Sequence, residues 1–248
     1  MTAVVHYERV EAEGRPHAVV TLDSDRNRNA LSAQLLEELR TALHRAAGDD
    51  VLAVVLRAEG RAFCAGADLA EAHREGMEVS AQRLAGLLRA ILAHPLPVLA
   101  RIHGPVRAGG LGIVAACDLA VASEDVTYAF TEARLGLTPA VISLSVLPRM
   151  NARVAGTTFL TAETFDARTA LDSGLITHAV PPDRLDATVD ELVAGLTACE
   201  RQGLEATKRL LNADALMYLD DRVDDMVALS AELFASDVSR RHLAAFLR

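Results

Sequence analysis

The chain has 248 residues, of which 51% are hydrophobic and 24% are charged, and its formal net charge is −9. This apolar content excludes an intrinsically disordered protein, and no apolar run reaches the roughly 18 residues that a membrane span needs. The acidic balance argues against nucleic acid as the main partner, because phosphate binding requires a concentrated positive surface.

The first half of the chain predicts alternating strands and helices. Residues 4–10 and 17–22 alternate in polarity around a turn at 13–16, which indicates an opening hairpin. Ser32 is placed to cap a helix whose leucines recur at helical spacing. Further strands are predicted at 51–56, 97–102, 119–122 and 128–130, and further helices at 81–93 and 109–116. This alternation is typical of a parallel α/β architecture.

The second half is predominantly helical. Helices are predicted at 154–160, 168–172, 184–196, 203–211 and 222–234, with one strand at 176–180. We place a boundary near Pro181 and Pro182, which divides the chain into a core at 1–182 and a C-terminal helical region at 183–248. The apolar stripes of that region pack either on the chain's own core or on another subunit.

The N-terminus and the cysteines indicate the compartment. The first six residues lack the basic and apolar regions of a signal peptide, so we expect a cytoplasmic protein with no membrane attachment. Cys64, Cys117 and Cys199 are odd in number and far apart, which predicts reduced thiols and neither a disulfide framework nor a metal site.

Two loops rich in small residues, 63–68 and 103–110, each follow a predicted strand and precede a predicted helix. Small residues let a ligand approach the main chain, and free N–H groups at a helix start can donate to an anion. Two such donors on one oxygen would form an oxyanion hole, whereas the alternative for each loop is an ordinary tight turn. Neither loop has the pattern of a nucleotide-binding motif, which argues against ATP and NAD.

Three motifs in this order and spacing resemble the crotonase family, also called the enoyl-CoA hydratase/isomerase family. They are AFCAGADL at 62–69, HGPVRAGGLGIVAACD at 103–118 and YAFTEARLG at 128–136. Matching segments at 28–31 and 165–176 extend the resemblance over nearly the whole chain. The resemblance implies an α/β fold with a crotonase-like spiral core of repeated β-β-α units and a C-terminal helical oligomerisation region.

The resemblance also implies a site. The N–H groups of Ala67 and Gly109 would hold the thioester oxygen of an acyl-CoA, and Glu132 would be the acid or base. Arg26 and Arg28 would contact the phosphates of coenzyme A. The other expected binding positions are Ala30, Ala65, Gly66, Asp68, Leu69, Gly110, Thr131 and Pro139. Coenzyme A is part of the substrate, no separate cofactor is expected, and the implied assembly is a homotrimer or a dimer of trimers.

The sequence departs from the family pattern at two places. Hydratases of the family commonly carry a second glutamate where this chain has Gly112, and they continue with glycines where this chain has AVIS at 140–143. Hydration of a 2-enoyl-CoA is the nominal reaction. Two alternatives stay open: conversion of a 3-enoyl-CoA to a 2-enoyl-CoA by Glu132 alone, and acyl-CoA binding without catalysis.

Three other polar residues lie beside the motifs. Arg107 and Thr131 could contact a polar substituent of the substrate, although a solvated or capping role carries more weight. His73 is predicted to face solvent from a charged loop at the edge of the pocket.

Overall fold

A six-stranded sheet forms the centre of the molecule in a computed structural model that describes residues 2–12 and 15–246. In spatial order its strands are β1 (Val5–Ala12), β2 (Arg15–Leu22), β3 (Val54–Ala58), β4 (Val98–Ile102), β6 (Leu119–Ser123) and β9 (His178–Val180). β1 and β2 form an antiparallel hairpin, and each later neighbour pairs in parallel.

A second sheet is small and joins three short strands. These are β5 (Val106–Arg107), β7 (Thr127–Ala129) and β8 (Phe165–Asp166), with β7 in the middle. β4 and β6 belong to the large sheet and are followed by β5 and β7 of the small one. The chain therefore alternates between the two sheets before it enters a helix.

Eleven helices are formed by the described residues. They are α1 (Ala33–Gly48), α2 (Leu69–Glu75), α3 (Met77–Leu92), α4 (Gly109–Ala116), α5 (Ala140–Val146), α6 (Ala152–Thr161), α7 (Ala167–Asp172), α8 (Leu185–Thr197), α9 (Arg201–Asp220), α10 (Val223–Phe234) and α11 (Asp237–Phe246). A 3-10 turn, Glu132–Leu135, lies between β7 and α5. Within these ranges, no helix is both long and apolar enough to cross a bilayer.

The central strands of the large sheet, β3, β4 and β6, are buried on both faces. One face presents Val19, Val55, Leu99 and Val121 to α8. The opposite face packs into the main core with α1, α3 and α4. Ser32 caps α1 by accepting a hydrogen bond from the N–H of Leu35, which confirms the predicted start of that helix.

The predicted parallel α/β architecture is confirmed, but several boundaries are wrong. The third strand begins at Val54 rather than at residue 51, because Val51 and Ala53 are buried apolar residues that precede the ladder. α9 is longer than the predicted 203–211. Residues 13 and 14 of the predicted turn lie outside the described residues. The division at residue 182 stays a prediction.

Three helices were not expected, and α5, at Ala140–Val146, is one of them. α2 occupies the segment around His73 that is predicted to be a loop, with Asp68 as its cap and Gly76, at φ 98, at its end. His73 is exposed on that helix, as expected for a solvent-facing residue. Two residues separate α11 from the end of α10, and α11 is amphipathic, although no element is predicted there.

A buried ion pair fastens α9 to the sheet. The Lys208 ammonium lies 2.7 Å from an Asp118 carboxylate oxygen, and only 3% of the Lys208 side chain is exposed. Asp118 also accepts hydrogen bonds from the Val98 N–H and the Asn212 amide. The Lys208 ammonium donates further to two main-chain carbonyls at the end of α3 and beyond it. The partners of this pair come from α3, from the segment that leads into β4 and its first residue, and from α9 itself.

We predict that Asp118→Ala lowers the free energy of unfolding by about 3–5 kcal/mol, because it leaves the Lys208 charge buried without a counterion. Urea denaturation followed by circular dichroism measures the loss. Asp220→Ala is the matched control, since it breaks the exposed pair with Arg89 and should cost less than about 1 kcal/mol. Equal losses in the two variants would contradict a structural role for the buried pair.

Candidate active site

The two loops rich in small residues lie side by side and are joined by hydrogen bonds. The Arg107 N–H donates to the Cys64 carbonyl over 2.9 Å, and Cys64 forms a parallel bridge with Val106. The Leu31 N–H donates to the Gly66 carbonyl over 2.8 Å. Three stretches that are distant in sequence therefore form one hydrogen-bonded layer.

Ala67 and Gly109 lie close together. Gly109 is the first residue of α4, so its N–H has no acceptor within the helix. A Cβ placed on Gly109 would lie 3.7 Å from the Ala67 nitrogen. Within residues 2–12 and 15–246, neither N–H donates to a protein acceptor. The two amide groups are therefore close together, and neither has a protein acceptor within those residues.

The residue before Gly109 has a strained backbone. Ala108 has φ 45 and ψ −118, a conformation that residues with a Cβ rarely adopt. Its N–H donates to the Ala129 carbonyl over 3.0 Å, which fixes this geometry from the small sheet. Strain of this kind costs on the order of 1–3 kcal/mol and persists only where the surrounding structure holds it. Here it turns the chain sharply into α4.

Glu132 is held at the start of the 3-10 turn by the aromatic segment before it. Phe130 is fully buried and packs against Phe159 and Phe165, with ring centroids 4.3 and 5.9 Å away. The Glu132 carbonyl accepts a hydrogen bond from the Leu137 N–H, which closes the turn. The backbone of Glu132 is thereby fixed at both ends.

The Glu132 side chain is the unusual titratable group of the site. Its Oε2 atom is buried and has no hydrogen-bond partner among the described residues. Burial disfavours the charged carboxylate and raises the pKa of Glu132 to about 7. A carboxyl group with this pKa exchanges protons near neutral pH, which suits general acid–base chemistry.

A single cavity of about 450 Å³ contains all three residues of the predicted catalytic set, Glu132, Ala67 and Gly109, in its lining. Of the predicted binding residues, the lining includes Arg28, Ala65, Asp68, Leu69, Thr131 and Pro139. Within the described residues, the lining does not include Arg26, Ala30, Gly66 and Gly110. The volume is in the range of small-molecule sites.

The four excluded residues lie behind or beside the cavity. Arg26 is exposed on a short 3-10 turn, and Ala30 is 8% exposed in the loop that follows. Gly66 has φ 94, and a Cβ there would lie 2.9 Å from that of Ala108. A Cβ on Gly110 would lie 2.8 Å from Cys64. The two glycines thus allow the loops to approach each other rather than contact a ligand.

Sequence reasoning missed most of the apolar wall. The helical part of that wall comes from α1, α2–α3, α5 and α10 and comprises Leu36, Leu69, Met77, Ser80, Ala81, Leu84, Ala140, Val141, Ile142, Ser230 and Leu233. The heptad-like apolar positions of α3 were a usable signal for a buried face. Nothing in the sequence of α10 relates it to the two loops.

Asn29 is a structural residue that the motif at 28–31 contained but that had no assigned role. It is fully buried, and its side-chain amide donates to the Glu59 and Ala62 carbonyls. Its Oδ1 accepts from the Ser24 N–H over 2.7 Å. Asn29 therefore fixes the loop that brings Arg28 and Leu31 to the cavity.

Arg107 contributes to the lining, but its guanidinium is engaged elsewhere. It donates to the carbonyl and hydroxyl oxygens of Thr127 over 2.6 and 2.8 Å. Burial lowers the pKa of Arg107 from its ordinary value. These contacts favour a role in joining β5 to β7 over contact with a substrate substituent.

The position of the expected second glutamate is filled by another side chain. A Cβ on Gly112 would lie 2.6 Å from Cγ2 and 2.9 Å from Cβ of Ile142. The Ser145 hydroxyl donates to the Gly112 carbonyl over 2.9 Å, which holds α5 against α4. Gly112 and Ile142, which belong to the two departures from the family pattern, are therefore in direct contact. α5 needs glycine at position 112 in order to pack this closely.

Comparison with known proteins gives concordant matches. A family model described as enoyl-CoA hydratase/isomerase matches residues 15–248. A crystal structure of an enoyl-CoA hydratase from Mycobacterium avium is 46% identical with a TM-score of 0.92, covering 100% of this chain and 97% of that one. A Rhodobacter capsulatus protein named "Probable enoyl-CoA hydratase" is 34% identical over 93% of this chain and 91% of its own length. An enoyl-CoA isomerase/hydratase of Mycosarcoma maydis is 32% identical, over 95% and 90%.

We predict that Gly112→Ala lowers the free energy of unfolding by about 1–3 kcal/mol, because the new methyl group overlaps Ile142. In a double-mutant cycle with Ile142→Ala, the double variant should be more stable than the sum of the single losses by at least about 1 kcal/mol. Gly156→Ala in α6 is the control, since a Cβ there meets nothing within 4 Å. Additive losses would contradict the contact.

Proposed function

This chain belongs to the enoyl-CoA hydratase/isomerase family, and from this premise we propose that it transforms an enoyl-CoA thioester with Glu132 as the proton-transferring group. The fold prediction of a crotonase-like α/β core with a C-terminal helical region agrees with the solved relatives. The observation that carries the proposal is the Glu132 carboxyl, whose buried Oε2 has no partner among the described residues, in the same cavity as the Ala67 and Gly109 amides.

The two amides are proposed to bind the thioester carbonyl oxygen. Negative charge develops on that oxygen when a proton leaves, or a nucleophile adds to, the acyl chain. Amides that are already oriented need no rearrangement as the charge grows, and one such donor contributes roughly 10²–10³ in rate. The strained turn at Ala108 and the start of α4 supply this orientation for Gly109.

Hydration of a 2-enoyl-CoA is the first candidate reaction, and the names of the matched relatives support it. Water oxygen bonds to carbon 3 and a proton bonds to carbon 2. Protonated Glu132 would give the proton to carbon 2 and then accept the proton that the water loses. The group is regenerated, and one water is consumed for each product.

Isomerisation of a 3-enoyl-CoA is the second candidate, and the contact between Gly112 and Ile142 favours it. Glu132 and Asp68 are the carboxylates among the described lining residues, and Asp68 is engaged in capping α2. One base suffices for isomerisation. Ionised Glu132 would take a proton from carbon 2 and return it to carbon 4, which moves the double bond without adding water.

Arg28 is the cavity-lining candidate for the coenzyme A phosphates. It is exposed at the cavity, and the loop that carries it is fixed by Asn29. Coenzyme A enters as part of the substrate, so the proposal requires no separate cofactor. A cytoplasmic location remains a prediction.

We also propose that the protein is a homotrimer or a dimer of trimers. α6 and α9 expose the large apolar side chains of Leu160, Leu210, Leu211 and Met217, all at least 60% accessible. Exposed apolar side chains of this size support contact with another subunit, because such contact would remove their apolar surface from water.

We predict that Glu132→Gln lowers kcat by about 10²–10⁴-fold for both reactions, because it removes the proton-transferring group. Mass spectrometry of 2-enoyl- and 3-enoyl-CoA thioesters in heavy water separates the outcomes: gain of one water marks hydration, and deuterium uptake with a shifted double bond marks isomerisation. Turnover that Glu132→Gln retains would contradict the proposal, whereas tight binding without any product would indicate a non-catalytic acyl-CoA-binding protein.

The two reactions should depend on pH in opposite directions. Hydration needs protonated Glu132, so its kcat/KM should fall as pH rises through about 7. Isomerisation needs the carboxylate, so its kcat/KM should rise over the same interval.

The pH dependence of wild-type stability provides the folding control. A carboxyl whose pKa is raised on folding stabilises the folded protein fully at pH values below its ordinary pKa, near 4.5. This stabilisation is lost as the pH rises to about 7. Glu132→Gln should therefore gain stability relative to wild type over that interval.

We predict that Gly109→Ala lowers kcat by about 10²-fold, because its Cβ would lie 2.7 Å from Leu31 Cδ1 and 3.7 Å from the Ala67 nitrogen, in the space for the thioester oxygen. Steady-state kinetics and thermal unfolding are measured together. Gly86→Ala in α3, where a Cβ meets nothing within 4 Å, is the control and should keep wild-type activity. Full activity in Gly109→Ala would exclude this oxyanion site.

A further inference from the structure

We infer that Ile142 sets the ratio of water addition to proton return, because its side chain occupies the space from which water would reach the bound enoyl group. The inference rests on the proposed function and deepens it. It names a residue that sets the ratio of water addition to proton return, whichever of the two reactions predominates in the wild type.

The first support is the position of the contact. Gly109 and Gly112 are three residues apart on α4, so they share one face of the helix, about 4.5 Å apart along its axis. Gly109 lines the cavity, and the space above Gly112 is filled by Cγ2 and Cβ of Ile142. The Ile142 side chain therefore packs against α4 about one turn from Gly109, whose amide is proposed to hold the thioester oxygen.

The second support is the chemistry of that wall. Ile142 is 3% exposed and also lines the cavity, and it has no polar atom that could hold or activate water. Its neighbours in the lining, Ala140 and Val141, are equally apolar. On this side a water molecule would lose hydrogen bonds without replacement, which makes its entry costly.

The third support is that Ile142 cannot move away easily. The Ser145 hydroxyl donates to the Gly112 carbonyl one turn beyond Ile142, and it also contacts the Ile142 carbonyl. The α4–α5 spacing is thus fixed by hydrogen bonds and not only by apolar packing. A shorter side chain at 142 should leave space rather than let the helices close.

Initial rates with a 3-enoyl-CoA and with a 2-enoyl-CoA in ¹⁸O-labelled water test the inference. Chromatography separates the two enoyl-CoA isomers, which have equal mass, and mass spectrometry identifies the ¹⁸O-containing hydrated product. Together they give the ratio of hydrated product to double-bond isomer. We expect Ile142→Ala to raise this ratio about tenfold, which corresponds to about 1.4 kcal/mol between the two barriers. Ile142→Val, which keeps most of the volume, should give a smaller increase and serves if the alanine variant folds poorly.

Val146→Ala is the matched control. Val146 is a fully buried aliphatic residue on α5, one turn beyond Ile142, and is not among the described residues of the cavity lining. It should leave the product ratio unchanged. An equal change in Val146→Ala would overturn the inference, because the effect would then come from a general loosening of α5.

A second readout does not require turnover. Water admitted beside Glu132 would lower the pKa of that carboxyl from about 7 toward its ordinary value, which carboxyl resonances in nuclear magnetic resonance report. We expect this decrease in Ile142→Ala and not in Val146→Ala. An unchanged pKa together with an unchanged product ratio contradicts the inference alone, whereas absence of product from every thioester contradicts the proposed function as well.

Discussion

The absence of side chains at three positions of α4 is the constraint on which the site depends. All eight residues of α4 are buried, and three neighbours press against its glycines: Leu31 at Gly109, Cys64 at Gly110 and Ile142 at Gly112. A Cβ at any of the three would lie 2.6–2.8 Å from its neighbour, closer than carbon atoms approach in proteins. The loops and α5 can pack against α4 only because the glycines at these positions have no Cβ.

The same close packing accounts for the electrostatics of the cavity. Apolar helices line the cavity that contains the two amides, and the Glu132 carboxyl in the same cavity is buried, so it loses hydration and keeps its proton to higher pH. Exclusion of water also strengthens the attraction between the amides and a developing negative charge. Steric packing, the raised pKa of Glu132 and the availability of the amides are therefore consequences of one arrangement.

Local signals in the sequence predicted part of this arrangement. The glycine pair before an apolar run marked the start of α4, and Ser32 marked the start of α1. The third strand was placed three residues early, since burial at residue 51 does not reveal where the hydrogen-bonded ladder begins. α2 was missed because its charged residues conceal a seven-residue helix that its Asp68 cap stabilises.

The site was predictable where a motif places several residues within one loop, and not where distant elements meet. Ala67, Gly109 and Glu132 line one cavity as expected, yet the contribution of α10 to its wall depends on tertiary packing. Arg26 is a predicted binding residue that does not line the cavity. It is two residues from Arg28, but the turn between them directs only Arg28 to the cavity.

The buried pair between Lys208 and Asp118 has a chemical consequence apart from stability. Lys208 is the only lysine in the sequence. Thioesters acylate free amines, and arginine, which supplies every other basic side chain of the Lys/Arg class here, is not nucleophilic at neutral pH because it stays protonated. With its one lysine amine enclosed by a carboxylate and two carbonyls, the folded chain offers no lysine side chain for covalent damage by the class of compound it is proposed to bind.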